Sequence, residues 1–388
     1  HLFGEDSSQY PNMVRAVEEF EAKTGHTVVL QYLENESFKA KLPTMLQSND
    51  RPDIFYSWGG GVMYDQARAG FLRDVSSVVP DSYLNTVSAA AADAFTFEGQ
   101  RVGLPLQVSQ VAWWYNKDLM SQAGVDVSQI KMWDDLLGAV KQIKAAGITP
   151  ICMGGKDKWP VHFVWTHLHI RNGGKGLFLE SLNNGGWDRP EYIRSGEQML
   201  ELVELEPFQK GWLAATWPDQ AGFFGDGKCA MAFMGNWMYG AQASNSASGE
   251  GLADANMGMF NMPMTSGGIG DSGDTLGGIN GWLFSSSAPD SAVELIMHYV
   301  SLDIQKEDAS LGAYIPIVKG ADVSLTNPFL QQVAKNISNS EYHQIFYDQF
   351  LGADIGRVVN DVSTDLAAGI ISPEEATQAV QEAWEFNQ

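Results

Sequence analysis

The chain has 388 residues, of which 44% are hydrophobic and 18% charged, enough for two domains with a core each. Its 47 acidic and 24 basic residues give a formal net charge of −23; such a surface repels phosphate backbones and anionic lipids and argues against nucleic-acid binding. It contains no run of 18 apolar residues, so no transmembrane helix is expected. The start at His1, in strand-like residues with no signal peptide in view, is that expected of a processed or trimmed product.

In chain order, Pro11 sits where a first helical turn begins, with Met13, Val17 and Phe20 on one face and Gly25 as the stop. Thr27–Leu33 reads as a strand, Phe38, Leu42 and Met45 mark a second helix, and Pro52–Trp58 reads as a buried strand ending in Gly59-Gly60-Gly61. Strands alternating with helices predict a mostly parallel α/β sheet, with ligands beyond the carboxyl ends of the strands. Trp113–Asp118 (WWYNKD) follows the apolar stretch 102–107 and reads as a strand crossing into a second region. There Leu136, Val140 and Ile143 form a helix face, Ile148–Cys152 a strand and 154–160 its tip. Phe163–Arg171 and Glu191–Leu205 read as helices, and Lys228–Met234 as a strand with the tip Gly235-Asn-Trp237. Ser244–Asn256 is a polar loop. Met257–Pro263 reads as a strand and a second crossing, Asp290–Leu302 as a helix, and Ser372-Pro-Glu-Glu375 has the spacing of a capping box that opens a last helix to Trp384. Cys152 and Cys229 each lie in an apolar, strand-like setting and read as two buried small hydrophobes, a disulfide being the alternative in an oxidising compartment.

An ordered set of segments then carries a resemblance. Phe20-Glu-Ala-Lys-Thr-Gly25 with Val28, Pro52-Asp-Ile54, Gly70-Phe-Leu-Arg-Asp74, Tyr115-Asn-Lys-Asp-Leu119 and Trp133-Asp-Asp-Leu136 come first. Gly227-Lys-Cys-Ala-Met231, Gly235-Asn-Trp237, Gly277-Gly-Ile-Asn-Gly281 and Ser372-Pro-Glu-Glu-Ala376 follow. Together they resemble the family 1 extracellular solute-binding proteins of bacterial ABC importers, the maltose-binding-protein-like group; Cys229 departs from the more usual alanine. The resemblance implies an α/β, two-lobed periplasmic-binding-protein fold with a hinge of about three chain crossings. It implies an N-terminal lobe of residues 1–112 and 262–314, a C-terminal lobe of residues 113–261 and 315–388, and a third crossing at Tyr314-Ile-Pro316.

A sugar presents hydroxyls at its edges and C–H groups on its faces, so its site needs aromatic planes for the faces and amides or carboxylates for the hydroxyls. Of the 12 tryptophans, Trp58, Trp159, Trp237 and Trp282 fall at or near predicted strand tips; core packing is the competing reading of each. Trp113, Trp114, Trp133, Trp212 and Trp384 are assigned to core or surface. The polar candidates are Glu5, Asp6, Ser7, Glu36, Ser37, Ser109, Gln110, Lys156, Asp157, Asn280 and Arg357, with the backbone of Gly59 and Gly60; an ordinary solvated side chain is the alternative at any one of them.

Other strings carry less. Gly268-Ile-Gly-Asp-Ser-Gly273 fits G-x-G-x-x-G and contains Gly-Asp-Ser-Gly, but it lacks the strand–turn–helix setting of a dinucleotide site and the His and Asp of a serine protease. His162, His167 and His169 lack metal-ligand spacing, since residues two apart on a helix point to different faces. No catalytic residues, cofactor or metal are expected. The expected function is capture of a sugar, a di- or oligosaccharide, outside the cytoplasm, periplasmic or membrane-anchored, and its delivery as a monomer to an ABC permease. The alternatives are a binding protein for a non-sugar solute such as a polyamine or phosphate ester and, from another class, a glycan hydrolase, for which no acid–nucleophile pair is identifiable.

Overall fold

A computed structural model describes every residue except Asp6 and Ser8. It divides into two compact units: residues 1–109, 278–335 and 349–352 in the first, and 110–277, 336–348 and 353–388 in the second. The strand Gly103–Asn116 carries the chain out of the first unit after Ser109, and the strand Thr275–Phe284 brings it back after Gly277.

In the first unit, Ile54–Ser57 lies antiparallel to the strand Thr275–Phe284, with Tyr56 opposite Trp282, and residues 107–108 pair antiparallel with Ile315–Pro316. The helix Tyr10–Thr24 starts at Pro11 and stops at Gly25 in a left-handed conformation (φ 75°), burying Met13, Val17 and Phe20 as the periodicity requires. In the second unit, residues 111–116 pair antiparallel with Met231–Gly235 on one side and Met257–Phe260 on the other. The helices Trp159–Asn184, Pro190–Val203, Ala353–Ala367 and Pro373–Phe386 pack together. The Ser372 capping box forms: Glu375 N donates to Ser372 Oγ (3.2 Å) and Ser372 N to Glu375 Oε2 (2.7 Å).

The expectation of a mostly parallel sheet is corrected. The ladders named above are antiparallel, while Thr275–Gly277 with His343–Ile345 is parallel. Strands far apart in sequence pair here, so alternation along the chain does not report direction in the sheet. Thr27–Leu33 carries no strand ladder. Its residues Val28 and Leu30 and the strand residues Ile54 and Phe55 line the same apolar crevice of about 450 Å³, and Val29 is 87% exposed. β-Branched composition favours extension, but a ladder needs a run of neighbouring backbone. Here, among the described residues, the backbone of His1 alone meets the segment, its N-terminal amine donating to Gln31 O (2.8 Å) and its carbonyl accepting from Leu33 N (3.0 Å). Ile148–Cys152 is likewise not a full strand: Ile151 makes isolated bridges to Phe208 and Met231. The helix predicted over Asp290–Leu302 ends at Tyr299, and a second runs from Leu302 to Ser310. Cys152 and Cys229 are both fully buried and joined by a disulfide, which corrects their reading as free small hydrophobes.

Two features of the core explain sequence strings that looked chemical. Asn116 of the YNKD segment caps the helix Lys117–Gln122, its Oδ1 accepting from Asp118 N (3.0 Å) and Leu119 N (3.1 Å), while Trp113 and Trp114 are wholly buried. Gly268 and Gly270 lie against the backbone carbonyls of Arg171 and Ile170, where an added Cβ would come within 2.3 and 2.0 Å, so the glycines of G-x-G-x-x-G serve close packing on a helix.

Asp308 is buried in the first unit, accepting from Tyr314 Oη at 2.5 Å with Arg15 Nη2 3.9 Å away. Burial pushes its carboxyl up to about 6 from an ordinary 3.8, against the opposing pull of Tyr314 and Arg15. Between these values the native state binds more protons than the unfolded chain, so this group's contribution to stability is lost as pH rises through that window. Asp308→Asn is expected to raise stability at pH 7 relative to wild type by about 1–3 kcal/mol, with the difference shrinking toward pH 4. Paired thermal melts from pH 4 to 7 measure it; a difference independent of pH would contradict the assignment.

Candidate functional site

Two groups of aromatic and polar side chains stand out, one in each unit. In the first unit the half-buried Trp58 lies edge-on to Phe38 (ring centroids 6.1 Å) and Tyr56 (5.5 Å), with Lys39 Nζ 5.3 Å from its ring. The turn after it depends on glycine: Gly59 and Gly60 have φ of 65° and 74°, and a Cβ on Gly59 would come within 2.8 Å of Ala94 O. Trp282 is buried against Phe3, Tyr56 and Tyr299. Tyr56 Oη accepts from Gln107 Nε2 (2.8 Å) and is also hydrogen-bonded to Asn280; burial raises its pKa well above the ordinary phenol. Ser109 Oγ accepts from Gly278 N at 3.0 Å. Asn280, Gln107 and Ser109 are all buried.

The remaining candidates of this unit have local structural work. Glu36 and Ser37 open the helix Asn35–Gln47; their amides donate to Glu34 Oε2 (3.0 and 3.1 Å), and the Glu36 carboxylate lies 3.5 Å from Lys39 Nζ. Ser7 Oγ accepts from Gln9 N (3.2 Å), and Glu5 is exposed. Asp6 lies outside the described residues.

The second unit gathers more aromatic surface. Trp159 is 8% exposed, with the half-buried Trp217 and Trp237 at ring centroid distances of 5.8 and 6.3 Å. Phe163 and Phe346 stack on each other at 5.0 Å, and each packs against Trp237. Loop chemistry positions these rings. Gly154 N donates to Gln220 Oε1 (3.0 Å), Met153 N to Gln209 Oε1 (2.9 Å), and Lys158 takes a left-handed conformation (φ 64°) just before Trp159 begins its helix. Asp157 Oδ2 accepts from Trp217 N at 2.7 Å and so ties the two tryptophan-bearing loops. Gly235 is required, since a Cβ there would lie 2.0 Å from the Trp237 indole.

Polar groups of this unit are mostly engaged. Gln110 is held in an amide network with Asn236, Asn261 and Asn336. Lys158 Nζ reaches Asp361 Oδ1 (2.6 Å) and Arg357 reaches Asp361 Oδ2 (3.3 Å), while Lys156 is exposed. The three histidines singled out in the sequence are buried. Burial lowers His169 to about 3 and His167 well below its ordinary value, the latter helped by the nearby Arg171 charge, so both are neutral imidazoles. Among the described residues no cluster of His, Cys, Asp and Glu has the arrangement of a metal site.

Tyr56, Gln107, Phe163, Trp217 and Phe346 escaped the sequence reading. Trp217 had a signal: Trp-Pro occurs at 159–160 and again at 217–218, each time opening a helix. At the second, Thr216 and Asp219 form a capping box, Thr216 N donating to Asp219 Oδ2 (2.8 Å). Phe346 had none, because the chain returns it from far along the sequence.

With this geometry in hand, the comparisons decide the family. The profile of the bacterial extracellular solute-binding protein family matches residues 5–303. The chain belongs to that family. An extracellular-binding protein of an ABC transporter from Pyrococcus horikoshii is 24% identical over 206 residues, covering 53% of this chain and 46% of the relative. The multiple sugar-binding protein of Streptococcus mutans is 23% identical over 213 residues, covering 50% and 47%. The chain thus spans about half the length of the curated relatives it matches. Among solved structures, a chitin oligosaccharide binding protein superimposes with a TM-score of 0.88 at 24% identity, covering 100% of this chain and 97% of the other. A protein from a study of xylan utilization by Caldanaerobius polysaccharolyticus gives 0.88 at 24% identity, covering 96% of each chain. The fold is therefore the two-lobed α/β fold of periplasmic sugar-binding proteins, as the ordered sequence segments implied. Among the described residues no helix is long and apolar enough to cross a membrane.

Proposed function

We propose that this solute-binding protein captures a di- or oligosaccharide outside the cytoplasm and delivers it to an ABC permease. The observation that carries this reading is the aromatic group Trp159, Trp217, Trp237, Phe163 and Phe346, which offers half-buried indole faces on a rigid backing. Pyranose C–H faces bury apolar area on such planes, and adjacent rings suit successive sugar units. The first unit by itself carries one further half-buried indole, Trp58, backed by Phe38 and Tyr56, with the buried Ser109, Asn280 and Gln107 holding the strands beneath it. Asp157, Lys156 and Arg357 are the polar groups near the second unit's loops. Hinge closure, the general behaviour of periplasmic binding proteins, turns occupancy into a shape a permease reads. The sugar shifts that equilibrium only by its differential affinity for the closed form.

An anionic ligand is disfavoured. The net charge is −23, and Lys158 and Arg357 are both engaged by Asp361. A protein related over 145 residues at 32% identity binds sn-glycerol-3-phosphate in Shigella flexneri, so phosphate esters belong in the test. The buried disulfide supports an oxidising, extracytoplasmic compartment. The family is one of binding proteins, and we assign no catalytic step to this chain.

The test is a thermal-shift panel of raffinose, xylotriose, triacetylchitotriose, maltotriose, spermidine and glycerol 3-phosphate. A bound sugar at a hundred times its Kd is expected to add about 2.7 kcal/mol and raise Tm by several degrees. A shift with glycerol 3-phosphate or spermidine alone would replace the sugar reading, and release of shorter sugars on incubation would restore the hydrolase.

A further inference from the structure

We propose that the Cys152–Cys229 disulfide is a positioning device for the tryptophan pair Trp159 and Trp237, setting the spacing on which ligand affinity depends. This rests on the sugar-binding reading above and adds to it a role for two residues that touch no ligand. Each cysteine stands at the root of one tryptophan-bearing loop. Cys152 leads through Met153-Gly154-Gly155 to Trp159, and Cys229 leads through the strand Met231–Gly235 to Trp237. The two Cα atoms are 5.6 Å apart, within the range that a disulfide spans with no backbone movement.

The crosslink matters because the secondary structure at this point is thin. The stretch 148–152 is not a continuous strand. It is attached to its neighbour by Ala230 N to Thr149 O (2.9 Å), Met231 N to Pro150 O (2.9 Å) and Cys152 N to Met231 O (2.8 Å). Beyond Cys152 the chain turns through two glycines and the left-handed Lys158 with no strand ladder, and what fixes it comes from other segments: Met153 N to Gln209 Oε1 (2.9 Å), Gly154 N to Gln220 Oε1 (3.0 Å) and Trp217 N to Asp157 Oδ2 (2.7 Å). At the other root, Gly235 packs directly against the Trp237 indole, so a shift of the strand moves the ring with it. A covalent tie between the roots transmits to the rings, whose centroids lie 6.3 Å apart. Both sulfurs belong to fully buried residues, which leaves structure, not surface thiol chemistry, as their use.

The test compares wild type with Cys152→Ala/Cys229→Ala and with Cys152→Val/Cys229→Ala, the second restoring buried volume. Folding at 25 °C is checked by circular dichroism. Calorimetry then measures binding of raffinose, xylotriose and triacetylchitotriose. Acrylamide quenching and amide hydrogen exchange are read without ligand. The expected result is a folded variant that binds the sugar bound by wild type about tenfold more weakly. Faster indole quenching and faster exchange confined to residues 153–159 and 235–237 should accompany it. Wild-type affinity and wild-type exchange in a folded variant overturn the proposal, as does failure of both variants to fold, which makes the bond a staple for stability alone. If wild type binds neither these three sugars nor maltotriose, the sugar reading fails separately, and the ligand-free quenching and exchange still decide the positioning role.

Discussion

Trp237→Ala is expected to weaken oligosaccharide binding by about tenfold to a hundredfold, at roughly 1.4 kcal/mol per decade. The residue is half-buried, its ring packing on Trp159, Phe163 and Phe346 and on the backbone at Gly235. An open indole face on a rigid backing holds a sugar plane without first losing side-chain freedom, so most of the apolar area removed from water appears as affinity. The same substitution costs stability only to the extent that the packed part of the ring is lost, about 1–2 kcal/mol, because no polar atom is stranded. Trp384→Ala is the control. That residue is also half-buried, but its Nε1 donates to Leu182 O (3.1 Å) in a contact between helices, so its loss should lower Tm and leave Kd alone. Calorimetric titration of both variants with the sugar selected in the thermal-shift panel separates the cases. Equal Kd values for wild type and Trp237→Ala would remove Trp237 from the site.

Arg171→Leu is expected to destabilise the protein by about 3–5 kcal/mol, lowering Tm by about 4–6 °C. Arg171 is fully buried on the helix Trp159–Asn184, and its guanidinium donates to four backbone carbonyls. Nε and Nη2 reach Met262 O (3.2 and 3.0 Å), Nη1 reaches Asp271 O (2.8 Å) and Asp274 O (3.0 Å), and Nη2 also reaches Ser272 O (3.3 Å). Burial lowers its pKa to about 10, with the nearby Asp274 and Asp271 charges opposing, so it stays charged at neutral pH. Leucine fills much of the volume but strands those carbonyls, and an unmade buried hydrogen bond costs more than a made one contributes. Lysine, with a compact ammonium instead of a planar fork, should recover only part of the loss. Urea unfolding of the three proteins measures this; a leucine variant within about 1 kcal/mol of wild type would mean that the loop 262–274 holds its shape without the arginine.

The family was legible in the sequence because its signature is distributed. Short segments such as Pro52-Asp-Ile54, Tyr115-Asn-Lys-Asp-Leu119 and Gly235-Asn-Trp237 hold loops and caps in fixed order, and local chemistry of that kind survives in one dimension. Asn116 as a helix cap and Gly25 as a helix stop are physical instances, as is the Ser372 capping box. Trp58 and Trp237 were legible just past strand ends for the same reason, whereas Trp282, expected near a tip, lies buried within the strand Thr275–Phe284 because its neighbours there are supplied by distant segments. Strand direction was not, nor the fate of Thr27–Leu33, because both depend on which distant segment supplies the neighbouring backbone.

What the sequence determined alone is therefore local and cumulative: helices with their stops and caps, the acidic surface, and an ordered set of segments that identify the family. What only the tertiary structure decided is which side chains share a place. It joined Cys152 to Cys229, gathered Phe346 and Trp217 with Trp159 and Trp237, and buried Trp282 against Phe3 and Tyr56. The physical reason is common to all three. Periodicity and turn chemistry act over a few residues, whereas burial and contact are set by packing among segments dozens to hundreds of positions apart, and one chain read in order carries no direct record of that packing.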